Sequence, residues 1–165
     1  MKKYSRILII VNLLLLLGYF NWSVYKKDQT LKDGQLVLLQ LAPVDPRSLM
    51  QGDYMRLNYK ESESDSLREQ APPRGYAILK VDSNHIGKVV RLQKDLKPIY
   101  ENEIIIKYKT VYNRLLFGAE SFFFEEGQET IYEHAVYGGL KVDDKGESLL
   151  VGLYDENFRL LEPDK

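Results

Sequence analysis

The sequence predicts a mainly β (α+β) protein: an N-terminal transmembrane helix followed by an antiparallel β-sandwich or barrel-like domain with one or two short helices. Three observations predict it. No charged side chain occurs from Ile7 to Tyr25. Beyond that run, apolar segments of strand length are separated by turn residues every ~8–12 positions, the punctuation of small sandwiches and barrels. The 12 Tyr and 6 Phe, set on alternating strands, read as core and rim packing rather than a ligand cage.

The 165 residues accommodate one domain plus an accessory segment: an anchor over 1–27, a linker over 28–35 and a β-rich domain over 36–162. Lys2, Lys3 and Arg6 precede the apolar run; Lys26 and Lys27 close it. At ~1.5 Å per residue, residues 7–25 cover the ~30 Å hydrocarbon core of a bilayer, which makes the membrane lipid their expected partner. Tyr19, Phe20, Trp22 and Tyr25 gather where an aromatic belt would meet the headgroups. A cleaved secretory signal needs small residues before its cleavage site, and Gly-Tyr-Phe-Asn-Trp-Ser after Leu17 offers no such pattern, so the segment reads as an uncleaved signal anchor. A buried core helix would show water a polar face, which this run lacks. The basic start orients the N-terminus inside and the domain outside the cytoplasm, as in a single-pass protein of the inner (plasma) membrane. Residues 1–27 hold five Lys/Arg and no acid, leaving −6 on the rest. A domain of that sign is unsuited to nucleic acid or to an anionic lipid surface. The absence of cysteine removes disulfides, thiol catalysis and Cys-based metal sites.

Leu36–Leu41 is a continuous apolar run of strand length. Met55–Tyr59 is a second strand. Lys60–Arg74 is polar and serine-rich, an exposed loop with a helical turn around Leu67. Tyr76–Val81 and Lys88–Leu92 form a hairpin across Asp82-Ser83-Asn84-His85. Ile104–Asn113 is the longest strand, with Ile104, Ile106, Tyr108, Thr110 and Tyr112 on one face and Lys107 and Lys109 on the other. Glu120–Phe124 is an aromatic strand, Glu125–Ala135 has helical composition weakened by Gly127, and Tyr137–Val142 with Ser148–Tyr154 form a closing hairpin. Phe158, Leu160 and Leu161 complete the core.

Pro43 to Tyr59 (PVDPRSLMQGDYMRLNY) is the most distinctive stretch. Asp45 as N-cap, Pro46 at the first helical position and Gly52 past the end describe one helical turn over Asp45–Gln51. The strand that follows has two unlike faces: Met55, Leu57 and Tyr59 on the packing side, and Tyr54, Arg56 and Asn58 on the other. Gly52-Asp53-Tyr54-x-x-Leu57-x-Tyr59 resembles the motif that names the GDYXXLXY protein family. Arg74–Asp82 with Arg91-Leu92, Gly118–Gly127 (GAESFFFEEG), Ala135–Asp143 and Leu149–Leu153 are similar to its later segments in the same order. The resemblance implies a bacterial, membrane-anchored protein of this topology, and it implies no catalytic roles.

Candidate chemistry is sparse. Asp53 either caps a local backbone N–H while Gly52 takes a positive φ, or forms with Arg47 and Tyr54 the polar lip of a groove. Pro46-x-x-Leu49-x-x-Gly52-Asp53 is similar to the turn of membrane-anchored signal peptidases, whose nucleophilic Ser lies three residues before the Pro; Pro43 stands at that position, which argues against a Ser/Lys hydrolase. His85 and His134 sit in a turn and at a helix end, ordinary surface positions. Two isolated histidines argue against zinc, and Asp82 and Asp143-Asp144 suit hairpin turns as well as Ca²⁺. No cofactor is expected. Glu120 falls on the aromatic side of its strand, where desolvation would raise a carboxyl pKa as a general acid requires; an edge-of-core glutamate paired with Arg114 is the plainer alternative. The candidate binding residues are therefore Arg47, Asp53, Tyr54 and Glu120, with no catalytic or metal set. The expected function is a binding or accessory module of an envelope membrane complex, with an envelope membrane protein as partner. The alternative is a membrane-tethered hydrolase acting on envelope peptide or glycan.

Overall fold

The computed structural model describes residues 2–42, 54–68 and 71–163. The chain opens with helix α1 (Lys2–Asp33). Its Ile7–Asp33 portion is long and apolar enough to cross a membrane, and its large apolar side chains stand exposed from Ile7 through Tyr25. The helix does not stop at the charged residues: the segment expected as a linker forms its last turns. Asn21 Nδ2 donates to Leu17 O and Lys32 to Asp28, each one turn back, so local i,i+4 bonds carry the helix through the polar stretch.

Nine strands follow among the described residues. They are β1 (Gln35–Gln40), β2 (Tyr54–Arg56), β3 (Arg74–Val81), β4 (Gly87–Gln93), β5 (Glu103–Val111), β6 (Arg114–Leu116), β7 (Ser121–Phe123), β8 (Tyr137–Val142) and β9 (Ser148–Tyr154). One-turn helices α2 (Asp65–Arg68) and α3 (Glu129–Tyr132) and a 3₁₀ turn (Lys60–Glu63) complete the described elements. The strands form three antiparallel sheets, β1-β8-β9, β2-β7 and β4-β3-β5-β6. Bridges between Leu38 and Ile86 and between Leu41 and Tyr59 join them, so the sheets curl into a half-barrel.

The core lies inside that curve. Val37 and Leu39 of β1, Ala77 and Leu79 of β3, Ile106 of β5, Leu140 of β8 and Leu153 of β9 are fully buried. Each sits at the alternate positions that a half-buried strand turns inward. Burial of such Leu, Ile or Val side chains contributes roughly 1.5–3 kcal/mol apiece before entropy is counted.

Three turns share one construction. In Asp82–Ile86, Asp143–Glu147 and Asp155–Arg159 the leading Asp carboxylate accepts from the backbone N–H groups two and four residues on. The fourth residue of each, His85, Gly146 or Phe158, has a φ between 60° and 78°. This is a type I turn followed by a left-handed bulge residue. The aspartates are thus occupied by backbone, as hairpin turns demand, and among the described residues no group of three acidic or histidine side chains could hold a metal.

The expected extent of β5 is corrected. Tyr112 is not on the inner face of a long strand. It and Asn113 occupy a tight hairpin turn with φ of 48° and 59°, and Tyr112 is 96 % exposed. Ile105 is buried although it points away from Ile106, and beside it the edge of β5 is paired, Lys107 N donating to Gly146 O of the β8–β9 turn.

Candidate functional site

The signature strand β2 pairs with β7, matching Tyr54 to Phe123, Met55 to Phe122 and Arg56 to Ser121. Alternation then sorts the ribbon into two faces. Met55 is buried on the inner face, where the Phe122 ring packs against Tyr132 at 4.8 Å and Phe124 packs against Tyr132 at 5.4 Å. The outer face carries Tyr54, Arg56, Ser121 and Phe123. Phe123 is 74 % exposed, and its ring lies 5.8 Å from that of Tyr54.

Beyond Arg56 the strand ends, yet the packing side continues. Leu57 N donates to Glu120 O, and Ala42 N donates to Asn58 O. Tyr59 is fully buried, its ring edge-on to Phe117 at 5.9 Å, and its hydroxyl donates to Ala119 O at 2.6 Å. Burial, and secondarily the charge of Glu120, push the Tyr59 phenol well above its ordinary range, so it stays a protonated donor. Gly138 of β8 lies under this ring: a Cβ there would meet Tyr59 Cε1 at 2.9 Å.

Glu120 has a different role from the one its neighbours suggest. Its Oε1 accepts from Phe117 N and Gly118 N, closing the loop ahead of β7, while Gly118 takes a φ of 83°. The expected pairing with Arg114 does not form. Arg114 Nη2 donates instead to Glu63 at 2.7 Å. Both side chains nonetheless border one groove of about 300 Å³, together with Arg56, Asn58, Ser62 and Tyr112. Ser62 is occupied inside it, donating to Tyr59 O at 2.6 Å.

Of the four residues singled out from sequence, Tyr54 lies on the outer face of the ribbon and Glu120 at the groove. Arg47 and Asp53 lie outside the described residues, as does the expected turn over Asp45–Gln51 with Gly52. Phe123 was not among the candidates. Its signal was present, since the alternation that turns Phe122 and Phe124 inward leaves Phe123 pointing out. Arg56 shares the same face for the same reason.

Fold and site together define a β-rich domain carried on a long apolar helix, with a two-faced ribbon beside a polar groove. The chain belongs to the GDYXXLXY protein family, whose model matches residues 16–153. No curated protein and no solved structure matches it.

Proposed function

We propose that the protein is a single-pass bacterial inner-membrane protein whose extracytoplasmic domain is a binding or accessory module of an envelope membrane complex. The observation that carries the binding role is the outer face of the β2–β7 ribbon. Phe123 leaves three-quarters of its surface in water although the opposite face of the same ribbon is packed into the core. An exposed Phe123 packed on a half-buried Tyr54, flanked by Arg56 and by a groove with a second arginine, has the composition of a protein-binding hot spot. The fully exposed apolar stretch of α1 and the basic residues before it support the anchor and its orientation. Arg47 and Asp53 join the proposed contact set through their closeness in sequence to Tyr54.

The test is co-purification of crosslinked membrane partners from cells carrying the full chain. Substituting Arg47, Asp53 and Tyr54 with alanine should leave the circular-dichroism spectrum unchanged and remove the partner. A folded triple variant with an unchanged set of crosslinks contradicts the reading. Turnover of envelope peptide or glycan that disappears in Glu120→Gln or Asp53→Asn would favour the membrane-tethered hydrolase instead.

A further inference from the structure

The last turns of α1 are fastened to the β8–β9 hairpin. Lys141 Nζ donates to Gly34 O at 2.8 Å, Thr30 Oγ1 approaches Asp143 Oδ2 at 3.5 Å, and Lys26 Nζ lies 3.9 Å from Glu147. The domain is therefore mounted on the helix at a fixed height. Between helix end and hairpin turn opens a cleft of about 480 Å³. Apolar side chains of Ile99, Ile104 and Val142 line it with Lys26, Lys145 and four carboxylates, of which Asp143 is held by backbone N–H groups and Glu103 by Arg91, leaving Asp33 and Asp144.

The register of the helix sets the depth of this cleft. Lys26 is the first residue past the uncharged run, and at ~1.5 Å per residue Asp33 stands only about 10 Å further out. A bilayer of ~30 Å core and ~40–45 Å total thickness leaves each headgroup layer about 5–8 Å deep, so the Lys26 end of the cleft lies in that layer and Asp33 at or just beyond its outer edge. Among the described residues Asp33, Asp144 and the Lys145 ammonium make no side-chain hydrogen bond or salt bridge. The principal partner of Glu147 is Lys107 at 2.6 Å, which leaves Lys26 only loosely held.

We infer that this cleft receives the headgroup of an ethanolamine phospholipid. The inference rests on the membrane-anchored part of the proposed function and not on the partner. Lys26, nearest the hydrocarbon, meets the phosphodiester together with Lys145. Asp33, further out along the helix, and Asp144 on the turn accept from the primary ammonium, which lies outside the phosphate in such a lipid. The apolar wall at Ile99 and Ile104 lies against the glycerol. A choline headgroup has the same charges but no N–H to give, and an anionic glycerol headgroup leaves both carboxylates facing a negative ligand.

The test reconstitutes the full chain in nanodiscs of equal phosphatidylcholine and phosphatidylethanolamine and quantifies by mass spectrometry the lipid retained after gentle detergent release. Two partly exposed ion pairs predict enrichment of phosphatidylethanolamine by about fivefold. Asp33→Asn with Asp144→Asn should return it to the bulk ratio while the near-ultraviolet dichroism is unchanged. If the double variant folds poorly, Asp144→Asn alone, in an exposed turn, decides in the same way by a partial loss. A bulk ratio for the native chain, enrichment unaffected by the carboxylate substitutions, or stronger retention of phosphatidylglycerol in a parallel disc would each overturn the inference. Release of the native chain from membranes by alkaline carbonate would instead count against the membrane anchor itself.

Discussion

The Tyr59 hydroxyl donates to the Ala119 carbonyl across 2.6 Å, both residues being shut off from solvent. This one bond ties the end of the first signature segment to the start of the second, 60 residues later in sequence. With the β2–β7 pairing beside it, the two most recognisable stretches of the chain form one structural unit. Tyr59→Phe keeps the ring and strands a buried carbonyl, so it should cost about 1–3 kcal/mol. Tyr59→Ala also opens a cavity and should cost about 3–5 kcal/mol. Urea denaturation of the protein in detergent, followed by near-ultraviolet dichroism, measures both.

Gly138 tests the same contact from the other side. An alanine there brings Cβ to 2.9 Å from Tyr59 Cε1 and 3.1 Å from its hydroxyl oxygen. Gly138→Ala should therefore destabilise by about 1–3 kcal/mol through overpacking. With Tyr59→Leu in the background the cost should shrink, giving a coupling energy in a double-mutant cycle.

The repeated aspartate turns make a prediction about sign. Alanine at Asp82 or Asp143 removes two backbone-to-carboxylate bonds and should cost about 1–2 kcal/mol, and Asp155→Ala should act in the same direction. His85 holds a φ of 63° that a glycine adopts without strain, so His85→Gly should raise stability by about 0.5 kcal/mol. Phe158→Gly should not, because its ring packs against Tyr137 at 5.4 Å. Thermal melts of the five variants distinguish these cases.

Two carboxylates make stability depend on acidity. The Arg91 guanidinium, forked onto Glu103, together with the Tyr100 N–H, holds the Glu103 carboxyl below its usual range. Backbone N–H groups of Arg159 and Asn157 do the same for Asp155. Folded values below the unfolded ones mean that the stabilisation is fully present above the ordinary carboxylate values of ~4 and disappears as pH falls through the lowered ones. The melting temperature should drop over that acidic window, and Glu103→Gln should flatten part of the drop while lowering the plateau near neutrality.

Much of this was legible in the sequence because it depends on local pattern. The β3–β4 and β8–β9 hairpins follow from period-two alternation around Asp-led turns, and the inward Phe122 and Phe124 from the same period. What escaped depends on contacts far apart in the chain. The last turns of α1 look like a linker because their polarity conceals the i,i+4 bonds and the hairpin to which they are fastened. Tyr112 continues the alternation of β5, and only the two positive φ angles reveal a turn. Sequence position pairs Glu120 with Arg114, but the loop before β7 leaves two N–H groups within its reach, and Glu63 arrives from a distant 3₁₀ turn to take the arginine. The outward Tyr54 was expected. That Phe123 stands beside it depends on the pairing of two strands distant in sequence.

We propose that the signature has an inner face that holds the fold and an outer face that binds. This is tested most directly by Tyr54→Ala with Phe123→Ala, measuring the urea midpoint and partner crosslinking on the same full-length protein. The midpoint should stay close to the native one while the crosslink is lost. A folded double variant that keeps the crosslink, or one that unfolds as Tyr59→Ala does, contradicts it.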